Sequence, residues 1–358
     1  MTATLLVRAD SAAAIGAGHV MRCLALAQGW QDAGGDVTLA AASLDGTLRR
    51  RLIDEGVVVV DLDTPPGSRL DAEATVHHAR QAGAEWVVAD GYNFDAAYQR
   101  CIHDAGLKLL VLDDYGHAEH YHADLVLNLN LGADESLYAN RGPATQLLLG
   151  TRYALLRRDF RQHSDHERST PPVARRLLVT FGGSDPHDLT AMAIRAIHSI
   201  DEPRLVTTVI AASEDLKTRL GPLAADGPQQ IEVLGHVTDM ADHMVRADLA
   251  IAAAGGTSWE RALLKLPSLV VTIAENQRSI AEALQRAGAA TDLGWWRDVR
   301  EDTLAEAIRD TAQNEPLRRQ QAASAGRIVD GRGAQRVVQA MSRSRTMSSQ
   351  SIADGADE

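Results

Sequence analysis

Four acidic residues stand at the ends of short apolar runs in the first half of the chain. Asp10 follows "TLLVRA", Asp90 follows "WVVA", and Asp113 and Asp114 follow "KLLVL". A single such carboxylate would be an ordinary helix cap contributing about 1 kcal/mol. Four along one edge exceed what capping needs, and a carboxylate can orient water, an imidazole ring or a substrate. A histidine joins them in "AAAIGAGHVMRCLALA", residues 12–27. Gly16 and Gly18 permit a tight turn. The third glycine of a G-x-G-x-x-G fingerprint would fall at Met21, so a dinucleotide loop is not indicated. The stretch instead places His19 in the first turn of an apolar helix. A helix N-terminus disfavours imidazolium, which leaves the ring able to accept a proton. Asp10, Asp90 or Asp114 could orient it. The plainer alternative is a histidine that caps the helix or packs silently.

The second half carries a different set. "FGGSD" (181–185) is a glycine loop whose N–H groups can face a diphosphate. "AAGGTSWERAL" (253–263) opens a helix at Gly256, Thr257 and Ser258, with Glu260 in the first turn. Such a carboxylate can accept from two ribose hydroxyls, or merely compensate the helix dipole. "ENQ" (275–277) offers amides suited to a ligand, or a simple cap. The loop "DDYGHAEHYHAD" (113–124) invites a metal assignment. Its spacing fits no defined zinc pattern, and no metal or other cofactor is expected.

These residues need elements to position them. Strand-like runs cover 4–9, 36–42, 57–62, 86–90, 108–114, 125–130 and 146–150, then 177–183, 204–211, 231–237, 249–256 and 268–273. Several are continuously apolar, as in strands covered on both faces. Helical stretches fall between them, several stopping at glycine: Gly34-Gly35, Gly56 and Gly106. This alternation predicts parallel sheets and an α/β class with two doubly wound, Rossmann-like domains facing a cleft. The expected boundaries are 1–156 for the first domain, 157–176 for a polar linker, 177–342 for the second domain and 343–358 for a disordered tail. "WW" at 295–296 reads as a packing element.

The whole chain fits that picture. Its 358 residues exceed one ordinary core, and 45% hydrophobic against 23% charged residues describes a globular protein. A net charge of −12 argues against a nucleic-acid groove. The only cysteines are Cys23 and Cys101, so a disulfide framework is not expected and Cys23 reads as a buried thiol. No uncharged apolar span is long enough for a membrane helix, and no signal peptide is apparent. A cytoplasmic monomer without membrane contact is the expectation.

The chain resembles the nucleotide-sugar hydrolases of pseudaminic acid biosynthesis, which are related to a spore-coat polysaccharide protein. The resemblance rests on "VRADSAAAIGAGHVMRCLALA", "VLDDYGHAEHYHADLVLNLN", "LLLGTRYALLRRDF", "TFGGSD", "AAGGTSWERALLKLPSLVVTIAENQ" and "DGRGAQRV". The second-half motifs are shared with the wider GT-B superfamily. The resemblance implies a GT-B fold and metal-free, inverting hydrolysis of UDP-2,4-diacetamido-2,4,6-trideoxy-β-L-altropyranose to free sugar and UDP. It implies His19 as catalytic base, with Asp10 or Asp114 assisting. Gly16, Gly18, Arg22, Asp90 and Tyr92 would face the substrate. Gly183 and Ser184 would meet phosphate, Val237 the base, and Glu260 the ribose, with Gly182 also facing the substrate. Asn276 and Gln277 would lie near the diphosphate and sugar, and Gly256, Thr257 and Ser258 would also bind the substrate. Some relatives read D-H-Y where this chain has "DGY" (90–92), which leaves the exact sugar open. The rival expectations are a GT-B glycosyltransferase and a UDP-sugar-binding protein without turnover.

Overall fold

The computed structural model describes residues 3–12, 16–182, 185, 187–202, 204–211, 213–235 and 237–353, without the side chains of 345–353. The chain divides into two compact units, Met1–Arg158 with Gly331–Glu358, and Asp159–Asp330.

In the first unit the strands are β1 (Thr4–Ala9), β2 (Asp36–Ala41), β3 (Val58–Asp61), β4 (Ala84–Asp90), β5 (Lys108–Leu112), β6 (Leu125–Asn128) and β7 (Gln146–Leu149). They form one sheet in the order β3-β2-β1-β4-β5-β6-β7, with every pairing parallel. The helices are α1 (Gly18–Asp32), α2 (Gly46–Asp54), α3 (Arg69–Gln81) and α4 (Ala96–Asp104). The chain steps one way along the sheet through α1 and α2, then the other way through α3 and α4. Right-handed crossovers therefore put the two pairs on opposite faces. Side-chain alternation agrees. Leu6, Val87, Ala89, Leu109 and Val111 share a core with residues of α3 and α4, so the intervening positions face α1. Gly34, Gly56 and Gly106 end α1, α2 and α4 with φ of 88°, 76° and 78°, the left-handed stop expected of them.

The short helix α5 (Arg158–Arg161) leads into the second unit. Its strands are β8 (Arg176–Thr180), β9 (Val206–Ile210), β10 (Gln230–Leu234), β11 (Leu249–Ala253), β12 (Ser268–Thr272) and β13 (Thr291–Trp295). They also pair in parallel, in the order β10-β9-β8-β11-β12-β13. The helices are α6 (Leu189–His198), α7 (Glu214–Ala225), α8 (Met240–Arg246), α9 (Thr257–Leu263), α10 (Arg278–Arg286), α11 (Glu301–Gln313) and α12 (Glu315–Ile328). Both sheets thus reverse direction beside their first strand, at β1/β4 and at β8/β11. Ligands of open α/β sheets bind at the carboxyl ends of strands at that point.

The last helix, α13 (Gly333–Ala353), returns to the first unit. It crosses α1 so closely that a Cβ on Gly29 would lie 3.0 Å from Ala334 Cβ. Four differences from the sequence expectations follow. The helical sequence beyond 301 is divided between the units, because α13 completes the cover of α1. Helix α13 continues to Ala353, where an aperiodic tail from 343 was expected. The stretch expected as a linker is anchored: Phe160 is buried, and Arg168 donates to the carbonyls of Met244, Ala247 and Leu264 at the ends of α8 and α9. The sixth strand, β13, was not expected at all; Trp295 ends it, and Trp296 packs against the second core.

Candidate active site

At the β1/β4 reversal the first unit brings together six side chains: His19, Arg22, Asp90, Tyr92, Asp114 and Asn130. Helix α1 begins at Gly18 without a capping side chain among the described residues, after Gly16 turns the chain with φ of 70°. His19 in its first turn and Arg22 one turn later face the strand ends. His19 Nδ1 lies 2.6 Å from Asp90 Oδ1. An ionised carboxylate only accepts, so Nδ1 carries the proton and Nε2 keeps the basic lone pair. Among the described residues Nε2 has no hydrogen-bond partner. The ring is 13% exposed, enclosed but reachable.

Arg22 fixes both carboxylates. Its Nε and Nη2 donate to Asp90 at 2.7 Å each, and Nη1 donates to both oxygens of Asp114 at 3.0 and 3.1 Å. Asp114 also accepts from Tyr92 Oη at 2.7 Å and from Asn130 Nδ2 at 2.8 Å. Burial alone would push the Asp90 carboxyl up. The charges and hydrogen bonds of Arg22 and His19 outweigh it and hold Asp90 well below the usual carboxylate range. Asp114 is lowered in the same way, burial opposed chiefly by Arg22. Cys23 is buried and lies 3.4 Å from Asp90 Oδ2. Burial and that carboxylate push its thiol up, so it is a donor rather than a nucleophile.

Asp10 is not part of this group. Its Oδ1 accepts from the backbone of Ala42 and Ser43 at 2.7 and 3.0 Å, and its Oδ2 lies 2.7 Å from Arg8 Nη1. Arg8 in turn donates twice to the buried Asp71 of α3. The reason is parity. Leu6, Arg8 and Asp10 alternate onto the face covered by α3, whereas Asp90 and Asp114 fall on the α1 face with His19. Arg22, expected to meet substrate, is committed to the two carboxylates.

Asn130 was missed, although "LVLNLN" places two asparagines at a strand end where apolar residues would be cheaper. Asp113 was read with its neighbour, but it faces the other way. It holds the loop after β5 by accepting from the N–H groups of Tyr115, Gly116 and His117. His120 contacts Asn140, and His122 contacts Arg100. Among the described residues no group of three or more His, Cys, Asp or Glu is placed to hold a metal ion.

Among the described residues the second unit sets glycines at the ends of β8 and β11. Gly182 follows β8 with φ of 85°. Gly183 and Ser184 lie outside the described residues. Asp185 and Asp188 of the same loop both have positive φ, 39° and 56°, a conformation costly for residues other than glycine. Asp185 offsets this by accepting from the N–H groups of Leu189 and Thr190 in α6. After β11, Gly256 caps α9. A Cβ on Gly255 would lie 3.3 Å from Gln277 Nε2, so glycine lets the 275–277 turn approach this loop. Gln277 Oε1 accepts from Ile273 N, which fixes that turn. Glu260 is half-buried, Asn276 exposed, and Val237 half-buried between β10 and α8.

Ser258 points elsewhere than expected, and the exposed Thr257 shares its partner. Buried Arg261 donates to both hydroxyls at 3.0 Å and to the Ala253 carbonyl at 3.1 Å. Ser258 is 2% exposed, so its side chain serves Arg261. Burial pushes Arg261 down to about 10, with Glu260 opposing. Sequence reasoning missed Arg261, because a charge inside "TSWERAL" reads as the exposed face of a helix.

Residues 177–338 match the model of the glycosyltransferase family 28 C-terminal domain. The chain is 24% identical to the UDP-2,4-diacetamido-2,4,6-trideoxy-beta-L-altropyranose hydrolase of Campylobacter jejuni over 289 residues, 79% of this chain and 97% of that protein. It is 27% identical to the spore coat polysaccharide biosynthesis protein SpsG of Bacillus subtilis, over 64% of this chain and 68% of that one. An uncharacterized protein of Methanocaldococcus jannaschii is 23% identical over 75% of this chain. The chain spans about half of that protein, 55% of its length. The crystal structure of Acinetobacter baumannii MurG superposes with a TM-score of 0.66 at 19% identity, covering 96% of this chain and all of that one. The chain therefore has the GT-B fold of two Rossmann-like domains, and its homologues include that hydrolase and SpsG. No helix among the described residues is long and apolar enough to cross a membrane.

Proposed function

We propose that this chain is a UDP-sugar hydrolase that cleaves the anomeric C–O bond with inversion and without a metal ion. The substrate in this reading is UDP-2,4-diacetamido-2,4,6-trideoxy-β-L-altropyranose, and the products are free sugar and UDP. The observation that carries it is the His19–Asp90 contact held by Arg22. Nε2 of His19 takes a proton from water as the water oxygen bonds to the anomeric carbon. Asp90 stabilises the imidazolium that forms, as the carboxylate of a Ser-His-Asp triad does. The anomeric C–O bond breaks and its electron pair leaves with UDP. Backbone N–H groups at Gly182 and at the start of α9 stabilise the departing diphosphate, and Glu260 binds the ribose. The hydrolase from Campylobacter jejuni, matched over nearly its full length, supports the water acceptor.

The family 28 domain match favours a second reading, sugar transfer, in which the same base would deprotonate an acceptor hydroxyl. One experiment separates them. UDP-6-deoxy sugars are incubated with the protein, with and without candidate acceptors, and products are followed by NMR. Free sugar of inverted configuration supports hydrolysis. Glycoside formed only with an acceptor rejects it.

A further inference from the structure

Beside the His19 clamp stands a row of aromatic rings. Tyr92 meets His19 edge-on with centroids 5.2 Å apart, and Tyr115 meets Tyr92 at 5.0 Å. Tyr115 is 47% exposed, one of few large apolar side chains so open among the described residues. It is nevertheless fixed. Buried Asp113 accepts from the N–H groups of Tyr115 and Gly116 at 2.7 Å and of His117 at 3.1 Å. Gly116 turns with φ of 77°, and a Cβ there would stand 2.6 Å from the Leu137 carbonyl oxygen. Only glycine makes this turn. His117 lies behind, 2.5 Å from Asp113 Oδ2 and edge-on to Tyr92 at 5.9 Å. A buried carboxylate and an obligatory glycine thus fix the backbone that carries one exposed ring, which packs on Tyr92 and His117 at the rim of the site. Such a ring binds an apolar surface with little further loss of conformational freedom.

We infer that Tyr115 determines specificity by receiving the apolar face of the sugar, and with it the substituent on C5. This rests on the UDP-sugar reading above. Asp90, Asp114 and Arg22 are bonded to one another, so the polar groups nearest His19 are already engaged. A C5 methyl against the Tyr115 ring loses only water. A C5 hydroxymethyl buried there must leave its hydroxyl without a partner or turn it outward. Apolar contacts of this kind discriminate by roughly 10–200-fold.

The test compares UDP-2,4-diacetamido-2,4,6-trideoxy-β-L-altropyranose with its 6-hydroxylated counterpart. The kcat/KM ratio for the two is measured on the full chain and on Tyr115→Phe and Tyr115→Ala. The full chain should prefer the 6-deoxy sugar by at least about tenfold. Tyr115→Phe, which keeps the ring, should keep that preference. Tyr115→Ala should bring the ratio to within about threefold of unity, mostly through KM. A general loss of order would lower both rates together and leave the ratio unchanged, and that result overturns the inference. If the full chain releases UDP from neither sugar, the hydrolase reading fails and calorimetric affinities replace the rates. A preference in binding that Tyr115→Ala abolishes still supports the ring's role. Equal affinities, or no binding, reject it.

Discussion

The two units wind their sheets in the same order and equip the strand ends in opposite ways. At the end of β4 and just beyond β5 the first unit sets Asp90 and Asp114, ionised and cross-linked by Arg22. At the ends of β8 and β11 the second unit sets glycines, and the buried Arg261 nearby faces inward to hydroxyls and a carbonyl. The first arrangement orients a base and cannot easily attract a polyanion. The second offers N–H donors and leaves room for phosphate to approach the backbone. The same winding thus carries either a carboxylate cluster or glycine turns, and in the proposed function the first serves chemistry and the second anion binding.

His19→Asn should show the division most strongly. Removing a general base costs roughly 10²–10⁴ in rate. The variant should lose that much in kcat while UDP affinity, assigned to the other unit, stays within about twofold. Single-turnover kinetics read the chemical step directly. A near-normal step would remove His19 from the mechanism; a raised KM with unchanged kcat would make it a sugar contact instead.

Asp90→Asn should come next, and should affect stability as well as rate. Breaking one partner of a buried ion pair costs about 3–5 kcal/mol, because the other charge stays buried. Here Arg22 would keep only Asp114. Denaturant unfolding should show that loss, and kcat should fall about 10²-fold as the ring loses its orienting partner. The pH profile follows from sign. Asp90, Asp113 and Asp114 all titrate below their ordinary range in the folded chain, Asp113 at about 2. Their contribution is complete above about pH 4, near the unfolded value, and is lost as pH falls through the folded one. Stability should therefore drop steeply below about pH 4, and Asp113→Asn should flatten the part between about pH 4 and 2. An unchanged acid limb in that variant would contradict the assignment.

These variants also mark where the sequence was readable. The strands of both cores were evident because helices cover both faces, which leaves unbroken apolar runs such as "LLVL" in β5. Strand β13 was not, since all five of its residues are half-buried and show no period. His19 stood out because a titratable ring follows a glycine turn. The choice among Asp10, Asp90 and Asp114 was closed to the sequence. It depends on which face each strand position takes, and parity has meaning only once the crossovers assign α1 and α3 to faces. The path of α13 depends on packing across Gly29, to which a local pattern is blind.

Glu260→Gln should act on binding and little on catalysis. If the carboxylate accepts from the ribose, losing its charge should weaken UDP binding about tenfold or more, since charged hydrogen bonds contribute about 1.5–3 kcal/mol each. The same carboxylate opposes the burial of the Arg261 charge. Calorimetry for UDP and denaturant unfolding without ligand therefore separate its two roles. Unchanged affinity with lowered stability would make Glu260 a partner of Arg261 and nothing more.

Ser258→Ala should have the smallest functional effect, and it tests whether the second unit binds through backbone. A hydroxyl at a helix start is an obvious phosphate donor, and the resemblance implied that Ser258 faces the substrate. In the structure it is turned inward, 3.0 Å from Arg261 Nη2. Removing it takes one hydrogen bond from a buried guanidinium, which should lower stability by about 1–3 kcal/mol. It leaves the N–H groups at the start of α9 in place, so UDP affinity should change by less than about twofold. Thr257→Ala should behave alike, because its hydroxyl is also taken by Arg261. A tenfold loss of UDP affinity in either variant, with stability unchanged, would mean that the hydroxyl leaves Arg261 for phosphate when ligand arrives. The second unit would then use side chains at its strand ends much as the first does, and the contrast between them would narrow to the presence or absence of a base.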